Sequence, residues 1–458
     1  MRIHPSDNVE VHADGQKYAL CDIRAGEQVI KYGFPIGSAK KDILVGEQVS
    51  PANLRSNLSG MGDWYYAPAE TAPVRVKNDS FLGYVRKNGD VGIRNELWIV
   101  PTVGCINDVA KALAQKSGAK ALTHPYGCSQ LGGDLETTQR ILCGLIRHPN
   151  AGGVLVLGLG CENNRMEDMQ ALLSDVDPDR VRFLSIQDCE DEMETGLAIL
   201  DELKQVMASD VRTEVPLSKL RIAVKCGGSD GYSGITANPL VGRAMELHAA
   251  FGGTVLMSEL PEVFGAEQLL LSRAKDQKTF DAAANMIRAF RQYFIDHGEG
   301  IADNPSPGNI AGGISTLEEK SLGCVQKAGK VPLCGALQFG ELPASDGGLY
   351  LVNGPGNDMV AVTNLAASGA HMILFTTGRG TPLSAPIPTL KIATNNALAQ
   401  KKPHWIDFGA GVLLDGADMG EEAERLYALC RRVADGALSK SEENGYYDIA
   451  IFKDGVTL

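Results

Sequence analysis

Four short apolar runs, each ending in a turn that carries both glycine and cysteine, restrict the folds open to this chain. Leu97-Trp-Ile-Val-Pro-Thr-Val103 leads into Gly104-Cys105-Ile-Asn107-Asp108, and Lys120-Ala-Leu-Thr123 leads into His124-Pro-Tyr-Gly-Cys128-Ser-Gln-Leu-Gly132. Gly153-Val-Leu-Val-Leu157 leads into Gly158-Leu-Gly160-Cys161-Glu162, and Leu220-Arg-Ile-Ala-Val224 into Lys225-Cys226-Gly-Gly-Ser229-Asp230. Apolar runs of this length alternating with helical patterns read as βα units on a parallel sheet. Ligands of such sheets sit beyond the carboxyl ends of the strands. If the four runs share a sheet or facing sheets, the thiols at 105, 128, 161 and 226 point toward one region.

The flanking segments complete an α/β reading in three parts. Residues 1–72 hold short strand candidates at 9–12, 18–20, 28–32 and 47–49, separated by Gly15, Gly26, Gly33, Gly37 and Gly46. They read as a small all-β module, and 57–79, rich in Gly, Pro and Tyr, as a linker. Residues 73–215 form a first α/β region with helices expected over 108–115, 135–147 and 188–207. Residues 216–458 form a second, with a helical pattern over 267–297, strands at 349–352, 371–375 and 389–393, and a helix at 421–435. Both α/β regions are expected to be Rossmann-like, with mostly parallel sheets. A chain of 458 residues has material for that many cores.

A net charge of −13 argues against nucleic acid and against anionic membrane surfaces, both of which call for basic patches. It leaves open an acidic small molecule held by local positive charge. Ten cysteines in a large chain without an apolar leader read as reduced thiols, and no apolar run is long enough to span a bilayer. A cytoplasmic protein is expected.

Cysteine most often packs as a small apolar residue, and Cys21, Cys143, Cys189, Cys324, Cys334 and Cys430 are read that way. Cys128 and Cys161 differ, because they stand in polar glycine turns. No CxxC pair exists, so a zinc ribbon or redox dithiol is not indicated. His4 and His12 flank Asp7-Asn8 and are usable as ligands or as acid and base, or as ordinary half-exposed histidines. Gly158-x-Gly160 lacks the third glycine of the dinucleotide fingerprint. Arg379, between two glycines, suits a carboxylate clamp. Ser229, Asp230, Thr236, Asn238, Asn309, Asn353, Asn357 and Asp358 are polar loop residues suited to a hydroxyl-rich ligand.

Several longer motifs carry a resemblance. They are Gly83-Tyr-Val-Arg86, Val91-Gly-Ile-Arg94-Asn-Glu-Leu-Trp98, His124-x-Tyr-Gly-Cys-Ser-Gln130, Gly158-Leu-Gly-Cys-Glu-Asn163, Cys226-Gly-Gly-Ser-Asp-Gly231, Asn304-Pro-Ser-Pro-Gly-Asn309 and Thr377-Gly-Arg-Gly-Thr-Pro382. In order and over essentially the whole chain, they resemble the altronate/galactarate dehydratase family of sugar-acid lyases. The resemblance implies a SAF-type N-terminal module and a hydro-lyase that removes the α-proton and the adjacent hydroxyl of a sugar acid, D-altronate giving 2-keto-3-deoxy-D-gluconate. Galactarate or another acid, and a non-catalytic sugar-acid binder on the same scaffold, are the alternatives. It also implies Fe²⁺, with Mn²⁺ or another divalent metal as substitutes. A [4Fe–4S] cluster on three of the glycine-turn cysteines is the other arrangement considered. On this reading the expected metal ligands are His12, Cys128, Cys161 and Glu162. His4, His12, His124 and Lys225 are the expected catalytic residues, and Arg94, Ser229, Asp230, Asn238, Asn309 and Arg379 hold substrate. A homodimer is the candidate assembly. Where relatives carry a Gly-His-Lys turn this chain has Gly15-Gln16-Lys17, which shifts any role of that histidine to His12 or His4.

Overall fold

The computed structural model describes residues 1–458. At the N-terminus, strands between Val9 and Arg55 form two three-stranded antiparallel sheets. Tyr32 and Gly33 have φ of 60° and 81° and close the hairpin between Gln28–Lys31 and Phe34–Ala39, as a tight two-residue turn requires. The segment 57–79 has no regular structure, yet it is not free. Ala69, Ala72 and Arg75 donate backbone hydrogen bonds to Ser272, Lys330 and Ala249.

The next region carries four parallel strands, β1 (Glu96–Pro101), β2 (Lys120–Ala121), β3 (Ala151–Gly158) and β4 (Val181–Ser185), in the order β2-β1-β3-β4. Its main helices are α1 (Asn107–Ser117), α2 (Gly132–Ile146) and α3 (Glu192–Met207). Helix α3 begins later than the sequence pattern suggests, because the Asp191 carboxylate accepts from the Met193 and Glu194 amides and fixes the start there.

The C-terminal region is built on seven parallel strands: β5 (Arg221–Cys226), β6 (Thr254–Met257), β7 (Leu333–Leu337), β8 (Gly348–Val352), β9 (Met372–Thr377), β10 (Thr389–Ala393) and β11 (Phe408–Gly409). Their order is β7-β8-β6-β5-β9-β10-β11. The helices used below are α4 (Ala237–Ala250), α5 (Gln277–Asp296), α6 (Leu317–Cys324), α7 (Asp358–Ala367) and α8 (Met419–Ala434). The expected helix over 267–297 is split: Asp276 caps α5 by accepting from Thr279 N–H, leaving Glu267–Leu271 as a separate short helix. The first three glycine-cysteine runs thus belong to the four-stranded sheet, and the fourth belongs to the seven-stranded one.

Side chains alternate across both sheets as the pleat demands. Leu97, Ile99, Leu155 and Leu157 face a core shared with α1 and α3. Trp98, Val100, Val154 and Val156 face a second core with α2, α7 and one face of the large sheet, including Ala223, Leu256 and Phe375. The opposite face of the large sheet joins the N-terminal module in one continuous core, with Val29, Ile36 and Ile43 in the same cluster as Ile222, Val224 and Leu374. No helix is long and apolar enough to cross a membrane.

Candidate active site

The sheet order places a crevice at the carboxyl ends of β5 and β9. The connection from β5 leaves toward β6 on one side, and that from β9 toward β10 on the other, which is where α/β sheets bind ligands. Two hydrogen bonds knit the loops together: Gly227 N–H to Thr376 O at 3.0 Å and Gly378 N–H to Gly228 O at 3.1 Å. A Cβ on Gly227 would lie 2.6 Å from the Asp358 carboxylate and from the Phe375 ring, so only glycine lets the loop pass. Above the crevice lies a cavity of about 930 Å³. Phe290, Tyr293, Phe294 and Phe452 form one wall, while Glu262, Asn304, Asn309, Lys320, Asp358 and Arg379 supply polar groups.

Beneath the cavity floor is a buried cluster of opposite charges. Lys225, the penultimate residue of β5, donates to Glu259 and, at 2.7 Å, to Asp358. Lys327 donates to the other oxygen of Glu259 at 2.7 Å and lies 3.0 Å from Cys324 Sγ. Lys320 reaches Glu262 at 2.8 Å, Asn304 Oδ1 at 3.1 Å and Asn309 Oδ1 at 3.3 Å. Glu259 stands in the left-handed region with φ of 74°. Such strain costs on the order of 1–3 kcal/mol and persists where surrounding groups over-determine the geometry, here the two ammonium groups on its oxygens.

The charges set the protonation states. Burial works against ionised Glu262, but Lys320, Lys225 and Lys327 outweigh it and bring its carboxyl down to about 2. Burial likewise opposes charge on Lys225, and Glu259 and Asp358 hold it above the ordinary lysine value. Lys320 is held above that value against burial by Glu262 and Cys226. Burial pushes Glu259 upward while the two lysines oppose it. Accepting from both ammonium groups is the geometry of a carboxylate. The Cys324 thiol is driven well up by its contact with Cys226 and by burial.

One ligand atom from each of Cys226, Glu259, Glu262 and Cys324 lies within 4.8 Å of the others, and all four residues are buried. Cys226 Sγ is 3.3 Å from Glu262 Oε2 and 3.9 Å from Cys324 Sγ. Two sulfurs and two carboxylates are donor types that suit a borderline divalent cation such as iron(II), and a cation there would displace the ammonium contacts that Glu259 makes with Lys225 and Lys327 and Glu262 with Lys320. Both thiols would release their protons on binding.

The residues marked from the sequence divide sharply. Lys225, Asn309 and Arg379 stand at this site. Asp230, Ser229 and Asn238 lie in its supporting loops, the side chains of Asp230 and Asn238 committed there and Ser229 held through its carbonyl. Asp230 accepts from Ser233, Thr394 and Asn395, the Ser229 carbonyl from Asn309, and Asn238 joins Thr376 to Gly323. Arg94 is buried in a paired bond with Glu442 and donates to the carbonyls of Ile93, Val433 and Ala437, which leaves nothing for substrate. His124 is buried too. Burial lowers it to about 4, Tyr126 N–H donates to Nδ1, and Nε2 is 2.8 Å from the Pro101 carbonyl. His4 bonds Ser6, and His12 stacks on Tyr18 beside Glu10, both exposed on the N-terminal module. The structure does not bring His12, Cys128, Cys161 and Glu162 together as one set. Both Glu162 oxygens are already taken, by Thr102 Oγ1 at 2.6 Å and by the Leu159 and Gly160 amides.

The N-terminal module docks behind the cavity. Gly15 lies against Gly231, Gly312 and Gly313, and Gln16 Nε2 approaches the Ala311 carbonyl at 3.5 Å. Lys17 and Lys31, both fully buried, each hold one oxygen of Glu319 at 2.8 Å, next to Lys320.

Glu259, Glu262, Lys320, Cys324 and Lys327 escaped the sequence reading. Lys320, Cys324 and Lys327 fall at i, i+4 and i+7, one face of a helix, and that spacing was the available signal. The turn after β6, Ser258-Glu-Leu-Pro-Glu262, has neither glycine nor cysteine and did not match the pattern of the other turns.

Comparison with known proteins agrees over the whole chain. Residues 217–457 match the family described as D-galactarate/Altronate dehydratase, C-terminal. Residues 83–208 match D-galactarate dehydratase/Altronate hydrolase, second domain, and residues 10–57 match the Altronate/galactarate dehydratase SAF domain. An altronate dehydratase of Bacillus subtilis is 49% identical over 98% of this chain and 94% of its own length. One of Escherichia coli is 48% identical over 97% and 92%. The galactarate dehydratase (L-threo-forming) of Escherichia coli is 31% identical over 93% and 87%.

Proposed function

The chain belongs to the altronate/galactarate dehydratase family, and from that premise we propose that the cavity at β5 and β9 dehydrates D-altronate to 2-keto-3-deoxy-D-gluconate. The enzyme is a hydro-lyase acting on a sugar acid. The observation that carries the site assignment is Lys320, an ammonium at the cavity wall held by Glu262 and two asparagine amides.

The α-proton of a carboxylate is very weakly acidic, so the reaction needs a base together with dense positive charge around the enediolate that forms. Arg379 spends one N–H on the Gly308 carbonyl and offers the rest of its fork to the substrate carboxylate. Asn304 and Asn357 face the chain hydroxyls, while Asn309 holds Lys320 and the Ser229 carbonyl in place behind them. Asp358, its side chain 36% exposed, rests Oδ1 on Lys225 and keeps Oδ2 for the α-proton. As C–H breaks, Lys225, Lys320 and Lys327 stabilise the growing negative charge. Lys320, kept charged, gives its proton to the departing 3-hydroxyl, which leaves as water. The enol then takes a proton at C3 and releases the proton on its 2-oxygen, becoming the 2-keto-3-deoxy acid. Iron(II), or manganese(II) in its place, held by Cys226, Glu259, Glu262 and Cys324, would add Lewis-acid stabilisation of the carboxylate. Reduced thiols in that set suit a cytoplasmic setting.

The test is anaerobic turnover of altronate, galactarate, mannonate and gluconate with and without Fe²⁺. Iron-stimulated product from altronate is expected, with Asp358→Asn lowering kcat by about 10²–10⁴ while the thermal transition stays in place, and Lys320→Met lowering kcat as far while also lowering the transition, because it strands the buried Glu262 carboxylate. Full activity in both variants would remove this cavity from the reaction. Product from another acid alone would keep the chemistry and change the substrate.

A further inference from the structure

The second domain has its own crevice, and the active-site reading above does not use it. In the order β2-β1-β3-β4, the connection from β1 leaves toward β2 and that from β3 toward β4. The carboxyl ends of β1 and β3 are therefore a second switch point. Cysteines follow the three strands around it: Cys105 after β1, Cys128 after β2 and Cys161 after β3, all three exposed.

These loops are fastened to one another. A Cβ on Gly104 would sit 2.8 Å from the His124 carbonyl, and one on Gly127 would sit 2.1 Å from the Thr102 carbonyl. The residues just before Cys105 and Cys128 therefore lie against each other's loops. Asn164 N–H donates to Gly127 O at 2.9 Å, Asn164 Nδ2 to Thr102 O at 3.0 Å, and Ser129 N–H to Asn163 Oδ1 at 2.7 Å. The third loop is thereby tied to the first two.

The other strong ligands here are spent on that fastening. His124 uses both ring nitrogens on backbone, and Glu162 uses both oxygens. The three thiols are exposed, and their contacts are long ones: Cys128 Sγ lies 3.8 Å from Ser129 Oγ and Cys161 Sγ 3.9 Å from Gln187 Nε2. Two buried polar atoms in the same loops, Asn164 Oδ1 and Gln130 Nε2, have no protein partner, and their residues are 0% and 2% exposed. The ligand atoms of these loops do not converge within the 4.8 Å seen at the Cys226 cluster, the span a single ion bridges. A multinuclear centre tolerates wider thiolate spacing.

We propose that Cys105, Cys128 and Cys161 ligate a [4Fe–4S] cluster in the second domain, its fourth iron open to the crevice. Cys189, the cysteine beyond β4, is not a ligand: it is half-buried, with its thiol on the Ile186 carbonyl at 3.3 Å. The site is separate from the Cys226–Cys324 cluster, which serves the proposed iron(II).

The full chain is reconstituted anaerobically with ferrous and ferric iron, sulfide and a thiol reductant. Iron, acid-labile sulfide and the visible spectrum are then measured. About five irons and four sulfides per chain, four of the irons in the cluster and one at the Cys226 site, with broad absorption near the blue end of the visible, are expected. The sulfide and absorption vanish in Cys105→Ser, Cys128→Ser and Cys161→Ser and persist in Cys189→Ser and in Cys226→Ser. Because a serine variant can fail to fold, alkylation of the loaded native chain gives an independent readout. Cys105, Cys128 and Cys161 become protected from iodoacetamide, while exposed Cys21 remains reactive. Iron bound without sulfide, a cluster that survives serine at any of the three positions, or three thiols that stay reactive in the loaded chain would overturn the proposal. None of these outcomes bears on Lys320 or Asp358, so this inference and the active-site reading fail separately.

Discussion

Replacing Glu319 by glutamine should loosen the N-terminal module without touching its hydrophobic contacts. Glu319 accepts from Lys17 and Lys31 at 2.8 Å each, and all three side chains are 2% exposed or less. Burial works against the carboxylate, yet the two ammonium groups bring it from 4.5 down to about 2. The lysines respond in opposite senses. Burial lowers Lys17 to about 8, whereas Glu319 and Tyr32 hold Lys31 above its usual value against burial. Equal distances on the two carboxylate oxygens support two ammonium groups at neutral pH. Bringing the carboxyl from 4.5 to about 2 is worth about 3 kcal/mol, and breaking a buried ion pair while leaving its partners behind costs about 3–5 kcal/mol. The open state of the module should thus be populated about 10²–10⁴-fold more in Glu319→Gln. Limited proteolysis follows that population when opening is fast relative to cleavage, so cleavage within 1–57 should accelerate by the same factor. The carboxyl is depressed, so its contribution is present above about pH 4.5 and is lost as pH falls toward 2. Replacing Lys17 and Lys31 by Met together with Glu319→Leu should restore much of the resistance, because no charge is then stranded. Cleavage accelerated less than tenfold in Glu319→Gln would refute the reasoning.

Further outcomes follow from the same geometry. Asp407 is raised to about 6 by burial, against its hydrogen bonds from the Lys440 and Lys391 amides. The folded state then holds the proton more tightly, and stability falls by about 1–2 kcal/mol after screening as pH rises from about 4 to 6. Denaturation at several pH values should show that slope flattened in Asp407→Asn. Gly144 on α2 packs so closely on α7 that a Cβ would sit 2.3 Å from the Ala367 carbonyl oxygen. Gly144→Ala should destabilise by about 1–3 kcal/mol in a thermal melt, despite its better helix propensity. Metal affinity at the Cys226 cluster should rise with pH, since Cys324 must lose a proton held well above its usual range. Titration calorimetry with Fe²⁺ at two pH values measures this, and a pH-independent affinity would exclude the thiols as ligands.

The chain's layout was legible because β strands and their turns leave local marks. The runs at 97–103, 153–157 and 220–224 alternate or stay apolar, and each became a buried parallel strand. Arg379 and Asn309 were legible for the same local reason, as polar groups framed by Gly or Pro in loops after strands or before helices. The rest of the site is non-local. Glu259 matters because Lys225 and Lys327, 34 and 68 residues away, converge on it, and no single segment carries that fact. His124, Glu162 and Arg94 show the complementary case. Each is a reactive residue type whose capacity is consumed by neighbouring groups, and only the folded partners reveal that.

The shared core of the N-terminal module and the C-terminal sheet has a consequence for biosynthesis. Val29 and Ile36 pack into a cluster with residues beyond 215, and Lys17 and Lys31 find their counter-charge only at Glu319. At about 5–20 residues per second, the module emerges from the ribosome roughly 15–60 s before residue 319 does. Throughout that wait its docking face is wet, and a wholly apolar face of that kind would be adhesive. Until Glu319 arrives the two lysines place charge on that face, so the ion pair that weighs little against an apolar alternative in the finished protein would act as a solubility guard on the nascent chain.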